Sequence, residues 1–523
     1  MGNYASVFYS EQGAKMAEDI NTTTEKRVGD VIAPLLFGRR DIYATADEIT
    51  EKNVIDEVNS ALVYHLLNVE EENYLYWYRR GITPVLNRTK EYNDWILNKV
   101  NVAVASEVVD FKNGYFLMEP AFYVGRKAGK KTKVDKLNEY LHRSGKQTAD
   151  NILADWFHTV GKAALYVEPN ADEDIPLKCY ALDPRSAFVV YSLHPGNKPV
   201  FGVNIVLDKY KSYIDVFTKD KVFRLSGGAA QKETSDFKNY DVTAVSVDKV
   251  ERNPLGHIPI IEYRYNSVNQ GAFENCVSLI DAMSEVQSNR VDGVAKFIQS
   301  LGVAINCNFD ENVTAETIKK SGLIALSSIG DNKADFKILS EELNQDQTQT
   351  LVDNLYDQIL RICSMPSTRK GGTSTSDTQG AVIFRDGWEQ AAACARNTED
   401  LFRESNRLFD EILLDVLKRN GLLDIKLIDF ELNFIRNETA NVQSKAQAAQ
   451  TMLAMGMAPE LAFKKSGLSN DPVSDVKMSE KFIKMIWGDP DEAVKTEEAG
   501  NGDGEAKIIE EDNNNGENTA GGV

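Results

Sequence analysis

Residues 125–132, which read GRKAGKKT, come nearest in this sequence to a nucleotide-binding motif. A phosphate-binding loop needs four residues between its two glycines, so that successive backbone N–H groups converge on the phosphates. Only three residues separate Gly125 from Gly129, and the pattern predicts no apolar strand that leads into a helix in the required way. We interpret the segment as an exposed basic loop.

The other polar residues form no recognisable catalytic set. The sequence contains neither a GxSxG nor an HExxH motif, and its five histidines are scattered. The cysteines have no CxxC spacing, which is typical of reduced, buried thiols rather than of a zinc site or a disulfide framework. They are Cys179, Cys276, Cys307, Cys363 and Cys394. We therefore predict a protein that is not an enzyme, with no catalytic residues, no metal and no cofactor.

A site of another kind is indicated by the polar run at residues 367–376, STRKGGTSTS, which lies between two predicted long helices. A mobile surface linker is the simpler interpretation. A loop held at the end of rigid helices can also reach into a central space, where Arg369 and Lys370 would meet phosphate groups.

The elements that would position this loop are long helices. An apolar stripe begins near residue 272 and predicts a helix roughly 40 Å long. After a polar insert of about 40 residues with two short β-like runs (303–307 and 323–326), a second helix carries Leu351, Leu355, Ile359 and Ile362 on one face. A third helix is predicted from Asp377 to Lys418.

The rest of the chain predicts an α+β protein. Short apolar runs separated by turn residues predict strands at 187–191, 201–207 and 213–218. Residues 441–486 favour shorter helices, and the segment after residue 488 is acidic and rich in Asn and Gly.

Charge limits the function. The formal net charge of −20 argues against a DNA clamp, a repressor or a histone-like protein, since these present a basic face to the phosphates. It is compatible with a protein past which DNA slides, because weak attraction keeps a moving duplex from sticking. We expect neither a membrane span nor a secretory signal.

Several short motifs, in their order along the chain, resemble those of the portal proteins of tailed bacteriophages of the SPP1-like type. They are Tyr78-Arg79-Arg80-Gly81, Leu86-Asn87-Arg88, Leu97-Asn98-Lys99-Val100-Asn101, Gly114-Tyr115, Glu119-Pro120, Gly256-His257-Ile258-Pro259-Ile260-Ile261-Glu262, Leu279-Ile280-Asp281-Ala282, Gly371-Gly372-Thr373-Ser374-Thr375-Ser376, Ala446-Gln447-Ala448-Ala449-Gln450 and Asp471-Pro472. Their succession, together with the helix–insert–helix–loop–long helix pattern, carries the resemblance.

The resemblance implies a portal-type subunit with an α/β wing, a long-helix stem, a small clip insert and a helical crown, which assembles as a ring, usually of about twelve copies. The parts would be a partly disordered N-terminal arm (1–45), the wing (46–271), stem helices (272–300 and 341–363) around the clip (301–340), a tunnel loop (364–378), a long wing helix and strand (379–440), the crown (441–488) and an acidic disordered tail (489–523).

The resemblance also implies that double-stranded DNA is packaged and ejected through this ring at the capsid vertex of the virion. The implied partners are other copies of the chain, the terminase large subunit, head-completion and adaptor proteins, the major capsid and scaffolding proteins, and the DNA in transit, with no membrane. Assembly would take place in the host cytoplasm.

Two groups of residues are candidates for the channel wall. The tunnel loop would present Arg369, Lys370, Gly371, Gly372, Thr373, Ser374, Thr375 and Ser376. The first stem helix needs a polar face toward the channel, for which the candidates are Glu274, Asp281, Glu285 and Asp292.

Two other classes of protein stay open at this point. A nucleic-acid-processing enzyme subunit, an ATPase or a nuclease, would need a true phosphate loop or a convergent set of carboxylates. Another capsid or adaptor protein would form an extended lattice instead of a ring.

Overall fold

A computed structural model describes most residues between 36 and 487, and the structural statements below concern those residues. The described ranges are 36–90, 96–126, 131–170, 176–207, 212–231, 240–298, 301–305, 307–308, 327–328, 335–339, 345–367, 387–434, 442–469 and 472–487. The chain divides into two compact units, Met1–Asn437 and Glu438–Val523.

The described helices are α1 (Val54–Arg79), α2 (Val104–Phe116), α3 (Lys131–Arg143), α4 (Lys146–Val160), α5 (Val277–Ile298), α6 (Gln345–Ile362), α7 (Trp388–Arg419), α8 (Val442–Ala454), α9 (Pro459–Ser466) and α10 (Pro472–Trp487). The described strands are β1 (Ile42–Tyr43), β2 (Phe122–Gly125), β3 (Lys162–Pro169), β4 (Leu177–Leu182), β5 (Ala187–Tyr191), β6 (Pro199–Leu207), β7 (Ser212–Phe217), β8 (Lys221–Gln231), β9 (Tyr240–Arg252), β10 (Ile260–Arg264), β11 (Leu301–Ile305), β12 (Cys307–Asn308), β13 (Ser327–Ser328), β14 (Asp335–Leu339) and β15 (Phe430–Asn433). This mixture of helix and sheet confirms the predicted α+β class.

A six-stranded sheet forms the first layer of the first unit, in the order β1-β5-β6-β7-β8-β9. Strand β1 pairs with β5 in parallel, and the other neighbours are antiparallel. The first half of α1 covers one face, because Val54, Val58 and Leu62 recur at helical spacing and pack on Phe201 and Val203. This is the first core of the unit.

A second core forms around a three-stranded sheet of order β10-β3-β4. Leu165 of β3 and Tyr263 of β10 are buried against Phe157 of α4 and against Phe402 and Phe409 of α7. Aromatic side chains at these positions bury large areas and explain why the 32-residue helix α7 stays on this sheet.

A third core lies between helices. Leu75 of α1 and Val108 of α2 pack with Ile280 of α5 and Ile359 of α6, and all four side chains are buried. Helix α1, with 26 residues and a length of about 39 Å, therefore contributes one half to the first core and the other half to the third.

The second unit is helical in its described part. Helices α8, α9 and α10 follow one another, and Ala449 and Ala462 are buried among them. The helical content predicted for residues 441–486 is confirmed.

The strands predicted at 187–191, 201–207 and 213–218 correspond to β5, β6 and β7. Helix α3 and strands β8 and β9 were not predicted, although α3 buries Val134, Leu137 and Leu141 at helical spacing. Within the expected N-terminal arm, residues 36–45 belong to the folded body: Ile42 is buried, and β1 is an edge strand of the six-stranded sheet.

The junction after α4 depends on glycine. Gly161 has a φ of 91°, and a β-carbon there would lie 2.1 Å from the carbonyl oxygen of Asn269. We expect Gly161→Ala to lower the free energy of unfolding by roughly 3 kcal/mol, because the side chain adds backbone strain and a clash with a fixed carbonyl. Urea denaturation followed by circular dichroism measures the change.

The matched control is Gly114→Ala. Gly114 lies in α2 with open space around its Cα, so alanine there should raise the free energy of unfolding by about 0.5–1 kcal/mol. Equal effects of the two substitutions would contradict the assignment of strain to Gly161.

Candidate channel-forming helices and loop

Helices α5 and α6 form an antiparallel pair. The Sγ atoms of Cys276, just before α5, and Cys363, just after α6, are 3.4 Å apart. Farther along, Arg290 Nη1 donates to Gln349 Oε1 at 2.9 Å, so the end of α5 lies beside the start of α6. The pair is therefore a helical hairpin that carries residues 299–344 at one end and residues 364–386 at the other.

The first of these connections contains short antiparallel strands. Strand β11 pairs with β14 from Leu301↔Leu339 to Ile305↔Asp335, and β12 pairs with β13. Strands β11 and β12 confirm the β-like run predicted at 303–307. The run predicted at 323–326 lies outside the described residues.

The second connection contains the predicted tunnel loop. Arg369, Lys370, Gly371, Gly372, Thr373, Ser374, Thr375 and Ser376 all lie outside the described residues. The described flanks lie side by side, because a β-carbon at Gly387 would be 3.8 Å from the carbonyl oxygen of Met365 and from Pro366 Cα. Ser364, at the first flank, has a φ of 52°, and Lys112 Nζ donates to its carbonyl oxygen at 3.4 Å. The chain thus leaves the helical hairpin and returns to it at one place.

Asp292 of α5 is surrounded by donors of its own subunit. Arg88 Nη1 lies 2.7 Å from Asp292 Oδ2, and Lys90 Nζ also donates to this oxygen. Asn98 donates to Oδ1 through its backbone N–H at 2.7 Å and through Nδ2 at 2.8 Å. Burial by itself raises the pKa of the carboxyl group, but the hydrogen bonds from Lys90, Asn98 and Arg88 outweigh it and lower the pKa to about 2.

The extended segment at residues 98–102 covers the polar face of α5. At every second residue of this segment the backbone N–H donates to a side chain of α5. Each acceptor lies four residues closer to the start of α5 than the one before it. The pairs are Asn98 to Asp292 Oδ1 at 2.7 Å, Val100 to Ser288 Oγ at 2.9 Å and Val102 to Ser284 Oγ at 3.3 Å. The two repeats match, because two extended residues and four helical residues each span about 6 Å.

The other carboxylates proposed for the channel wall occupy different environments. Asp281 is half-buried and accepts a hydrogen bond of 2.8 Å from Tyr78 Oη. Burial raises the pKa of Asp281 although this hydrogen bond lowers it. Glu285 is exposed. A position facing the channel stays a prediction for Glu285, whereas the carboxylate of Asp292 is enclosed by its own subunit.

Glu274 is also enclosed, together with an arginine that sequence reasoning did not single out. Arg39 is 2% exposed, and its Nη2 donates to Glu71 Oε2 at 2.7 Å and to Glu274 Oε1 at 2.8 Å. Its Nη1 donates to the carbonyl oxygen of Val160 at 3.0 Å, and Gly271 N–H donates to Glu274 at 2.7 Å. Burial raises the pKa of Glu274 although Arg39 lowers it.

The outer side of the hairpin carries exposed apolar residues. On α5, Val291 and Val294 are 43% and 49% exposed. On α6, Leu351 and Ile362 are 47% and 51% exposed. A long pair of helices with such side chains in water is typical of a surface that another chain covers.

The basic run at residues 125–132 needs one correction. Strand β2 ends at Gly125 and α3 begins at Lys131, so a strand and a helix flank it, which the sequence pattern did not show. Strand β2 pairs antiparallel with β15 and is not part of a parallel sheet. Residues 127–130 themselves lie outside the described part, and the glycine spacing still departs from that of a phosphate loop.

The described residues form neither a metal site nor a membrane span. No three His, Cys, Asp or Glu side chains in this part of the chain lie close enough together to hold a metal ion. None of the described helices combines the length and the apolar character that a membrane span requires.

A helical hairpin with a small β insert at one end and a polar connection at the other, on an α+β body, is the architecture that the motifs predict for a phage portal subunit. A family model described as "Phage portal protein, SPP1 Gp6-like" matches residues 65–486. Because this match spans most of the chain, the protein belongs to this family of phage portal proteins, which are structural proteins of the capsid vertex. The two alternative classes are not supported. No curated protein matches the chain significantly.

The enclosure of Asp292 predicts an acid-dependent contribution to stability. Asp292→Asn should lower the free energy of unfolding at pH 7 by roughly 3 kcal/mol, because Arg88 and Lys90 lose their counter-charge. The folded-state pKa of about 2 lies below the ordinary value of about 3.9. The contribution is therefore complete above pH 4 and is lost as the pH falls from 4 toward 2.

Urea denaturation at pH 7, 4.5 and 3 measures this difference. The gap between the wild type and Asp292→Asn should be constant from pH 7 to 4.5 and should narrow at pH 3. Glu285→Gln, an exposed carboxylate on the same helix, should change the free energy by less than about 0.5 kcal/mol. A gap that stays constant down to pH 3 would show that the ion pairs do not stabilise the fold.

Proposed function

We propose that this portal protein assembles into a ring of about twelve copies around an axial channel through which double-stranded DNA is packaged and ejected. The exposed apolar side chains of the α5–α6 hairpin carry the proposal. In a ring, Val291 and Val294 of one subunit would pack against α6 of the next. These side chains, which are exposed in the single subunit, would then be buried by its neighbour.

The parts of the subunit have separate roles in this proposal. The wing (46–271 and 379–440) forms the outer body, and the stem (272–300 and 341–363) forms the channel wall. The clip (301–340) docks the terminase large subunit, whose ATPase supplies the work, and later the head-completion and adaptor proteins. The crown (441–488) faces the capsid interior, and the portal acts with scaffolding and major capsid proteins during assembly in the host cytoplasm.

The proposal of a tunnel loop (364–378) is supported by the two adjacent flanks at Met365 and Gly387. Because the chain leaves and returns at one place on the hairpin, the segment between the flanks can project from the stem without separating α6 from α7. Arg369 and Lys370 would then offer positive charge to the phosphates, and the overall net charge of −20 keeps these contacts transient.

Ring assembly can be tested at the exposed face of α5. Val294→Asp should weaken assembly at least about tenfold, because the carboxylate would have to be buried without a partner. Sedimentation velocity and negative-stain electron microscopy give the fraction of rings. Leu193→Asp, at an equally apolar but distant exposed position, should assemble like the wild type. Unchanged rings from Val294→Asp would place the interface elsewhere.

The DNA contact can be tested in the proposed tunnel loop. The double substitution Arg369→Ala and Lys370→Ala should reduce the DNA packaged per particle at least about twofold, because two phosphate contacts are lost. Ring formation should be unchanged. The matched control is Lys198→Ala, which removes an exposed lysine from the turn between β5 and β6. Packaging at the wild-type level by the double variant would show that this segment does not face DNA.

A further inference from the structure

Cys276 and Cys363 lie side by side inside the third core. Their Sγ atoms are 3.4 Å apart, and the residues are 0% and 4% exposed. They are 87 positions apart in sequence, so the absence of CxxC spacing concealed the pair. The prediction that the cysteines are buried is confirmed for both residues. Their contact with one another could not be read from the spacing.

The other described thiols have partners of different chemistry. Cys179 Sγ lies 3.9 Å from Ser144 Oγ. Cys394 Sγ lies 3.5 Å from Lys112 Nζ and 3.6 Å from Tyr265 Oη. Among the cysteines whose side chains the structure describes, Cys276 and Cys363 form the pair that is in sulfur–sulfur contact.

We propose that Cys276 and Cys363 are a paired oxidation site, which closes to an intramolecular disulfide and joins the start of α5 to the end of α6. A disulfide needs an Sγ–Sγ distance of about 2.05 Å, so the sulfurs must approach by about 1.4 Å. Both residues lie at helix ends, Cys276 in the turn before α5 and Cys363 directly after Ile362. Small backbone adjustments are easier there than inside a helix.

A hydroperoxide such as hydrogen peroxide would supply the oxidation. The thiolate of Cys276 attacks one peroxide oxygen, the O–O bond breaks, and hydroxide leaves, which gives a sulfenic acid. The thiol of Cys363 then attacks this sulfur, its proton is lost, and a second hydroxide leaves as water. Two thiols and one peroxide thus give one disulfide and two waters. The hydrogen bond from the Cys363 thiol lowers the pKa of Cys276, which favours Cys276 as the attacking thiolate.

The link would act on the helices of the proposed channel wall. It would fix the start of α5 to the end of α6, where the segment at residues 364–386 begins, so that α5 and α6 could no longer slide past one another. Thiols stay reduced in a bacterial cytoplasm and oxidise after release from the cell. The expectation that the bond forms after release rests on the proposed function in the virion. The proposal that the two thiols can form a disulfide does not depend on that function.

The experiment uses the purified full-length wild-type protein, treated with hydrogen peroxide and then alkylated with N-ethylmaleimide under denaturing conditions. Peptide mass spectrometry should show the peptides of Cys276 and Cys363 joined, with a loss of about 2 Da relative to their sum. Both cysteines should lose alkylation, and reduction with a phosphine should restore it. Cys179 should remain alkylated, as an equally buried thiol with no neighbouring thiol.

Two variants make the result specific. In Cys276→Ala the joined peptide should disappear and Cys363 should become alkylated, while Cys179→Ala should form the joined peptide like the wild type. Peroxide-treated wild type in which Cys276 and Cys363 stay alkylated, or in which Cys363 joins Cys394 instead, would overturn the proposal. These results are independent of ring formation and packaging, so a failure here is distinguishable from a failure of the proposed function.

Discussion

The buried charge of Arg39 is the constraint on which the position of the α5–α6 hairpin relative to α1 depends. A guanidinium removed from water costs several kcal/mol unless carboxylates accompany it, and Arg39 is 2% exposed. Glu71 from the second half of α1 and Glu274 from the turn before α5 meet this need at 2.7 and 2.8 Å. Arg40 Nη1 also binds Glu71 at 2.8 Å, so two arginines face two carboxylates, and removal of Arg39 or of either carboxylate leaves a charge without its partner. The start of the helical hairpin is therefore fixed relative to α1, and through α1 it is fixed relative to the six-stranded sheet.

The same rule explains the motifs that carried the resemblance. Arg88 and Asn98 belong to two of them, and both hold Asp292; Tyr78 and Asp281 belong to two others and are hydrogen-bonded to each other. These residues come from distant parts of the chain and meet along one face of α5. Their types matter because Arg88, Asn98 and Tyr78 supply hydrogen bonds to carboxylates that are buried or half-buried.

Sequence patterns predicted the positions of helices and strands better than the contacts that their side chains make. The periods of 2 and 3.6 residues located β5–β7, α5 and α6, since each of these elements carries apolar residues at regular spacing. The same patterns could not show what covers a polar stripe. Asp292 reads as a solvated or channel-facing carboxylate because its partners Arg88 and Asn98 lie about 200 residues away in sequence. The ion pairs of Arg39 and the contact between Cys276 and Cys363 were not predicted for the same reason, since only the folded chain brings these partners together.

The continuity of helix α1 determines how a movement passes from the six-stranded sheet to the hairpin. Its first half is bound to the sheet and its second half to the hairpin, and the helix continues through its 26 residues without a glycine or a proline. Without these residues the helix lacks the usual sites of a sharp kink, so a movement of its first half with the sheet would carry its second half, and the hairpin packed on it, in the same direction.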